Sequence, residues 1–412
     1  MSMTVINKEM LKKILEDVIH LRRQLHRYPE LSGEEYETSK VIQSKLTEFG
    51  INFKTGYAKT GVLGIIKGSR PGGTVALRAD IDALPIQERN QVSFRSQNDG
   101  IMHACGHDAH AAMLVGTGYL LNEIKEQLPG TVLLLFQPAE ENSPVGGAKP
   151  MMEDGVFSHY PPDVIFGQHV WPDLPVGEIG IREGAIMGNS DKFKIKIKGS
   201  GGHASMPHQT IDAIIAANQV ITALQTIVSR NVDPLDPIVL TIGKIEGGYR
   251  HNVIADQVVL EGTVRTFTND ARSQAKERLY SIVHHTVHAM GAEAEVGYFE
   301  GYPATINTPK WAQHIKDTAQ HVLGEKGTPE VNPSLGGEDF SRFLEKIPGA
   351  FFWLGTQIEE KEKQMPLHDP RFQLNERALS IGVELMAQIA VDALFTLERG
   401  KKEENENRAT RI

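Results

Sequence analysis

The sequence contains a series of short apolar segments, most of them bounded by glycines, and each can form one buried β-strand. They are GVLGIIKG (61–68), TVALRADID (74–82), TVLLLFQPAEE (131–141) and DVIFGQHV (163–170). Helical patterns at 8–27 and 34–49 precede them, and a long one at about 107–127 separates the second segment from the third. Ser32 is the predicted N-cap of the second helix. Val/Leu/Ile strands that alternate with helices indicate an α/β domain with a parallel or mixed sheet covered on both faces.

The pattern changes near residue 188. DKFKIKIKG (191–199) alternates polar and apolar residues, which is typical of a strand with one face in water. Two helical patterns and three more strands follow, at 210–229, 237–248, 255–267, 270–290 and 292–299. This β-α-β-β-α-β order predicts a ferredoxin-like α+β domain.

The length of 412 residues exceeds the size at which a single core keeps growing, so more than one domain is expected. From about residue 304 the chain returns to helices and one buried strand, AFFWLGT (350–356). The predicted segments are the first part of an α/β catalytic domain (1–187), an inserted α+β domain (188–303), the second part of the catalytic domain (304–398) and a charged, disordered tail (399–412).

Composition limits the class of protein. A net charge of −9 argues against a nucleic-acid binder, which would normally carry a basic patch. The single cysteine cannot form an internal disulfide, so nothing indicates an oxidising compartment. No apolar run reaches the ~20 residues of a membrane-spanning helix, and the charged N-terminus does not resemble a signal peptide. We therefore expect a cytoplasmic protein that binds neither nucleic acid nor membranes.

Side chains able to bind a metal follow the ends of three predicted strands. They are Asp80 and Asp82, Glu140 and Glu141, and His169. HACGHDAH (103–110), which opens the long helix, adds Cys105 and His107. Because ligands of open α/β sheets bind beyond the carboxyl ends of the strands, we expect these groups to converge on a metal site. Thiolate, imidazole and carboxylate together suit Zn²⁺ or another late first-row ion better than Mg²⁺ or Ca²⁺.

The adjacent glutamates Glu140 and Glu141 are suited to different tasks. On an extended segment, successive side chains point to opposite sides. One carboxylate can therefore bind a metal while the other lies beside it. A metal-activated water needs such a neighbour to take its proton and pass it to a leaving group.

Eight motifs are spaced along residues 20–398. They are LHRYPELSGEE, RADIDALP, HACGHDAH, PAEE, GQHV, GGHAS, HNVIAD and GTVRTF. Together they resemble the aminoacylase, hippurate hydrolase and indoleacetyl-amino-acid hydrolase branch of the di-metal metallopeptidase and amidohydrolase family, which also contains carboxypeptidase G. The resemblance implies a zinc-exopeptidase-like mixed sheet flanked by helices. It also implies that the inserted domain is a lid and dimerisation domain, and that the chain forms a homodimer or a higher homo-oligomer.

The resemblance further implies two divalent metal ions per subunit, which would be Zn, Mn, Co or Ni. Cys105 would be shared between the two ions. The other ligands would be His107, Glu141, His169 and the His368 of PLHDPRF. Glu140 would be the general base and acid, and Asp82 would orient the ligands from behind. Asp80 stands where the wider family has a histidine.

In the inserted domain, three residues are candidates for contact with the substrate. His203, which follows a glycine-rich turn, and Asn252 are groups that can stabilise an oxyanion. Arg265 can pair with a substrate carboxylate. In proteins of this type the histidine is expected to reach the metal site of the partner subunit.

Several other polar residues near the motifs are expected to have structural or supporting roles. They are His26, His103, Asp108, His110, Glu338 and Asp339. The histidines of HHTVH (284–288) are expected on the surface of a helix of the inserted domain.

The implied reaction is hydrolysis of N-acyl-L-amino acids, with N-acetyl, benzoyl or similar groups, to a carboxylic acid and a free amino acid. A dipeptidase or aminopeptidase that uses the same site is the alternative. A metal-free hydrolase with Cys105 as nucleophile is a further hypothesis, although the surrounding carboxylates would raise the pKa of its thiol. A non-catalytic peptide-binding relative is the last hypothesis, and the full set of candidate ligands argues against it.

Overall fold

A computed structural model describes residues 6–409, and it describes the side chains of residues 6–402. Within these residues the α-helices are α1 (Lys8–Arg27), α2 (Tyr36–Glu48), α3 (His107–Glu123), α4 (Ala148–Glu153), α5 (Ala213–Thr226), α6 (Asn269–Ala289), α7 (Pro309–Leu323), α8 (Ser341–Leu344) and α9 (Arg377–Ala409). The strands are β1 (Asn52–Tyr57), β2 (Gly61–Lys67), β3 (Arg70–Asp80), β4 (Pro129–Gln137), β5 (Val164–Trp171), β6 (Ile179–Gly180), β7 (Gly184–Met187), β8 (Asp191–Lys198), β9 (Gly202–His203), β10 (Ile238–Gly247), β11 (Val253–Ile254), β12 (Gln257–Thr266), β13 (Glu293–Phe299), β14 (Thr305–Asn307) and β15 (Gly349–Gly355).

The chain divides into two compact units. The first contains the residues up to Ile186, the segment Ile306–Asn332 and the residues from Asp339 onward. The second consists of Met187–Thr305 and Pro333–Glu338. The short second segment of this unit is joined by a bridge between Met187 and Ser334, and the sequence pattern contains no signal for it.

The first unit is built on a mixed sheet with the strand order β1-β2-β4-β3-β5-β15-β6. The neighbours β4, β3, β5 and β15 run parallel, whereas β1, β2 and β6 pair antiparallel toward the edges. All of β15 and most of β4 and β5 are buried, so these strands lack the polar alternation of a half-exposed sheet. The predicted mixed α/β sheet is thereby confirmed.

Helix α3 packs closely between two other helices. It is rich in alanine and glycine, and nearly all of its side chains are buried. A Cβ atom at Gly116 would lie 2.5 Å from Val18 on α1 and 3.1 Å from Val383 on α9. Only glycine permits this approach, which fixes α3 and hence the position of the HACGHD segment at its start.

Helix α9 is longer than the sequence predicts. Its segment Arg377–Lys402 is long and apolar enough to cross a membrane, but 72% of the tested window is buried in the fold, as in a core helix. Residues 399–409 continue this helix, where we had expected a charged tail without regular structure. Lysine and glutamate are good helix formers, and Lys402 pairs with Glu398 one turn earlier at 3.4 Å. Residues 410–412 lie outside the described residues.

The second unit contains an antiparallel sheet with the strand order β10-β12-β8-β13. Along the chain its main elements follow the order β8-α5-β10-β12-α6-β13. The alternation of β8 buries Phe193, Ile195 and Ile197 completely. These side chains share a core with residues of α5 and α6. A Cβ atom at Gly262 would lie 2.3 Å from the Phe193 ring, so glycine leaves the space that this ring fills.

Candidate metal centre

The ligand atoms of the predicted metal-binding residues lie close together in the first unit. In the described chain, three relevant groups have their ligand atoms within 4.8 Å of one another. They are Cys105, His107 and His169; Cys105, Glu141 and His368; and His107, Glu140 and Glu141. Cys105, His107 and Glu141 each belong to two of these groups. The three groups are therefore contiguous, as expected of a centre for two ions, and the resemblance assigns the shared position to Cys105.

Gly106 allows Cys105 and His107 to lie on either side of a sharp turn at the start of α3. Its backbone has a φ of +82°, a conformation that residues with a side chain rarely adopt. A Cβ atom at this position would also lie 2.5 Å from the Val170 side chain. Glycine is therefore needed here for both backbone and packing reasons.

His107 is fully buried, and its hydrogen bonds within the described residues are made through one ring nitrogen. Its Nδ1 lies 2.9 Å from the backbone oxygen of Asp82 and 3.2 Å from the carboxylate of Asp82. Its Nε2 has no hydrogen-bond partner among the described residues. Burial alone would lower the pKa of His107, but the carboxylates of Asp80 and Asp82 raise it to about 10. A cation at Nε2 would occupy the position that a proton otherwise takes.

Cys105 is surrounded by groups that oppose its ionisation. Burial raises the pKa of its thiol well above the ordinary value, and Glu141, Glu140 and Asp80 raise it further. Its Sγ lies 3.4 Å from Nε2 of His169. A thiol in this environment is a poor nucleophile, but a bound cation would favour the thiolate. The geometry therefore argues against the hypothesis of a metal-free cysteine hydrolase.

Glu141 and His368 form the second side of the centre. Oε1 of Glu141 lies 3.1 Å from Nε2 of His368. His368 has a φ of +68°, which costs a residue with a side chain roughly 1–2 kcal/mol. Its backbone N–H donates to the Ala104 carbonyl at 2.9 Å. This bond ties the distant His368 loop to the segment that contains Cys105.

Asp82 contacts both sides of the centre without belonging to the ligand groups. Besides its contact with His107, its Oδ2 accepts the backbone N–H of Glu141 at 2.9 Å and the hydroxyl of Ser32 at 2.6 Å. The prediction that Ser32 caps α2 is wrong, because Glu35 occupies the N-cap position. The hydroxyl of Ser32 serves the buried carboxylate of Asp82 instead of the helix.

His110 and Asp80 lie beside the centre but bind each other. The Val170 N–H donates to Nε2 of His110 at 2.8 Å, so the proton of the neutral ring is on Nδ1. That Nδ1 donates to Asp80 at 2.5 Å. Burial lowers the pKa of His110, in keeping with a neutral ring. Both nitrogens are therefore occupied, as expected for a supporting residue.

A second buried network anchors the start of α3 from behind. Asp108 contacts Nε of Arg22 at 2.8 Å and Nδ1 of His26 at 2.8 Å. The other nitrogen of His26 lies 3.2 Å from Glu88. Both ring nitrogens of His103 lack a hydrogen-bond partner in the described chain, and burial lowers its pKa to about 4. His26 and Asp108 thus have structural roles.

Sequence reasoning missed the importance of Arg78. This fully buried arginine on β3 donates to Asp80 at 2.6 Å, to Gln137 at 2.8 Å and to Asp339 at 2.9 Å. The backbone N–H of Asp339 donates to Glu140 at 3.4 Å. The only signal in the sequence was a charged residue inside an otherwise apolar strand.

The candidate substrate residues of the second unit are less buried. His203 on β9 and Asn252 are exposed, while Arg265 on β12 is half-buried. Nδ1 of His203 accepts the N–H of Ser205 at 3.2 Å and lies 2.8 Å from its hydroxyl. The proton of a neutral His203 ring is therefore on Nε2. The three histidines of the 284–288 segment are exposed on α6, as predicted.

Comparison with known proteins identifies the family. Residues 76–392 match the model of peptidase family M20/M25/M40. The chain belongs to this family. An N-acetylcysteine deacetylase of Bacillus subtilis is 44% identical over 92% of this chain and 98% of its own length. The IAA-amino acid hydrolase ILR1-like 4 of Arabidopsis thaliana is 41% identical over 92% of this chain and 86% of its own length.

A solved structure of the same family has a closely similar fold. It is a Bacillus subtilis protein described as a dinuclear metal binding peptidase from the M20 family. The two chains are 40% identical, with a TM-score of 0.82 over 93% of this chain and 99% of the other. This likeness supports two divalent ions per chain.

The side chains of this protein fit such a pair of ions. The centre offers a thiol, imidazoles and carboxylates, the donors preferred by Zn²⁺ and other late first-row ions. It also offers Nε2 of His107, which has no hydrogen-bond partner among the described residues and lies 3.7 Å from Asp80, and a thiol whose pKa is raised by burial and by nearby carboxylates. Each of these features becomes favourable when a cation is bound.

We expect Cys105→Ser to lose at least one metal ion per chain and most of the activity while remaining folded. Serine keeps the size of the side chain but is a much weaker ligand than a thiolate. Metal content by elemental analysis, the thermal unfolding midpoint and turnover would be measured together. The control is His284→Ala, which removes an exposed imidazole from α6. A serine variant with full metal content and activity would show that Cys105 is only a packing residue.

Proposed function

We propose that the protein is a metal-dependent amidohydrolase that cleaves N-acyl-L-amino acids to a carboxylic acid and a free amino acid. The observation that supports this most is the constellation in which Cys105, His107 and Glu141 each belong to two ligand groups, with Glu140 beside them. The deacetylase and the amino acid hydrolase that it resembles are both named for reactions of this type.

In the proposed mechanism, Glu140 transfers the protons. It is 7% exposed and lies beside His107 and Glu141. It takes a proton from the attacking water as a general base and then delivers it to the leaving nitrogen as a general acid. Two bound divalent ions would supply Lewis acidity, which lowers the pKa of water and polarises the acyl oxygen.

We assign the metal ligands to Cys105, His107, Glu141, His169 and His368. Asp82 orients two of them, since it contacts Nδ1 of His107 and accepts the backbone N–H of Glu141. Outer contacts of this kind fix the tautomer and direction of a ligand. Zn²⁺, Mn²⁺, Co²⁺ and Ni²⁺ are the candidate ions.

We propose that the second unit is a ferredoxin-like lid that also forms a homodimer. Its exposed strand edges are surfaces through which β-sheets can associate across a two-fold axis. His203, with its proton on Nε2, is a suitable donor to an oxyanion. Asn252 and Arg265 bind the substrate, Arg265 through the carboxylate of the amino acid.

Cleavage of short peptides is the second candidate function, because the similar solved structure is described as a peptidase. The two functions differ in the group that must fit on the acyl side, which is charged in a dipeptide and neutral in an N-acyl amino acid. Comparison of kcat/KM for N-acetyl, benzoyl and indoleacetyl amino acids with that for dipeptides of the same residues decides between them.

We expect Glu140→Gln and Glu141→Gln to differ in phenotype although the residues are adjacent. Glu140→Gln removes the proton acceptor, so kcat should fall by about 10²–10⁴ while both metals remain. Glu141→Gln removes a ligand, so metal content itself should fall. Steady-state kinetics and elemental analysis of both variants test these two roles. The assignments are reversed if Glu140→Gln loses metal and Glu141→Gln retains it.

The assignment of His203 to the partner subunit's active site can be tested by complementation. His203→Ala and Glu140→Gln are each expected to be inactive. If His203 acts in trans, random mixed dimers contain one complete site, and about a quarter of the wild-type activity should return. Subunit exchange would be confirmed with differently tagged chains. Background activity after confirmed exchange would mean that His203 acts within its own chain or not at all.

A further inference from the structure

The turn that contains the two glutamates has an unfavourable backbone conformation. Strand β4 ends at Gln137, and residues 138–141 form the turn that follows. Ala139, directly before Glu140, has a φ of +58°. Residues with a Cβ atom avoid this region because the side chain crowds the backbone. Such conformations persist only where the surrounding structure holds them in place.

A buried carboxylate from a distant segment holds Ala139. Its backbone N–H donates to Oε1 of Glu35 at 2.9 Å, across 104 residues of sequence. The same oxygen accepts the N–H of Gly33 at 2.7 Å. Oε2 of Glu35 accepts the hydroxyl of Thr60 at 2.7 Å. Glu35 is completely buried. These three hydrogen bonds therefore fix both of its carboxylate oxygens.

The next part of the turn is held by a different residue. The N–H of Glu141 donates to Asp82 at 2.9 Å. Glu35 therefore restrains the backbone before Glu140, and Asp82 restrains the backbone after it. Loss of the first contact would leave the second in place. The direction of the Glu140 side chain would then change while Glu141 stays near its position.

We propose that Glu35 is a positioning residue, which keeps Ala139 in the left-handed conformation and thereby directs the Glu140 carboxylate toward the reacting water. This proposal rests on the proposed role of Glu140 in amide hydrolysis. Glu35 belongs to none of the ligand groups in the described chain, so it acts through the turn and not on a metal. The Glu35 contacts stabilise one orientation of the Glu140 carboxylate, and the rate of proton transfer is sensitive to that orientation.

The test compares Glu35→Ala and Glu35→Gln in two backgrounds, the wild type and Ala139→Gly. In the wild type, Glu35→Ala should lower kcat by about 10–100-fold, because a misplacement of about 1 Å in a reacting group can cost roughly 10² in rate, with KM and metal content unchanged. Glu35→Gln should keep most of the activity. Its amide oxygen can still accept the N–H groups of Gly33 and Ala139, and its amide nitrogen can donate to Thr60.

The glycine background separates orientation from general support of the loop. Glycine adopts positive φ without steric cost, so in Ala139→Gly the change Glu35→Ala should lower kcat by at most about threefold relative to its parent. Glu30→Gln is the matched control. Glu30 lies in the same loop and accepts the N–H groups of Glu37 and Thr38 on α2. Its variant should keep the wild-type kcat.

A second variant tests the same contact if Glu35→Ala does not fold. Thr60→Val removes the hydroxyl that fixes Oε2 of Glu35 and preserves the volume of the side chain. It should lower kcat in the wild type but not in Ala139→Gly.

Equal losses of kcat in both backgrounds, or loss of metal in parallel with kcat, would overturn the role of Glu35. Failure of the proposed function would be visible separately, as a Glu140→Gln variant with wild-type kcat.

Discussion

The stability of the first unit depends on how its buried negative charges are compensated near the carboxyl ends of its parallel strands. A carboxylate removed from water is stable only with a partner of opposite charge or with several hydrogen-bond donors. Asp80 and Asp339 share Arg78, and Asp108 pairs with Arg22 and His26. Cys105 instead lies beside Glu140 and Glu141, and burial together with these carboxylates raises the pKa of its thiol. Cations bound between these last groups would balance the negative charge that lies there.

The backbone conformations near the centre follow from the same requirement. Parallel strands bring Asp82, Glu141 and His169 to one edge, but the side chains must still turn inward from short connecting loops. Positive φ at Ala139 and His368, together with the glycine at position 106, makes these turns. Ala139 and His368 are each held by a hydrogen bond of their backbone N–H to a distant segment. The conformations of Ala139 and His368 therefore lower stability locally, while they allow precise placement of the reacting groups.

The sequence predicts the elements better than their contacts. The strands, the long helix α3 and the alternation of β8 follow from local periodicity, and the motifs identify the side chains that cluster around Cys105. Contacts such as Glu35 to Ala139 and Gln137 to Asp339 join segments 104 and 202 residues apart. A single sequence has no periodic signal for such pairs, so it predicts a helix cap at Ser32 and no role for Arg78. The sequence pattern does not predict the continuation of α9 past residue 398, because charge without apolar periodicity is also typical of disordered segments.

We propose that Cys105 is a ligand shared by two metal ions. Anomalous diffraction from crystals of the protein loaded with Mn²⁺ or Zn²⁺ tests this most directly, because each ion gives its own peak at the absorption edge. We expect two peaks per chain, from two ions that are both bonded to Sγ of Cys105, one toward each ligand group. A single peak, or two peaks of which neither contacts the sulfur, would contradict it.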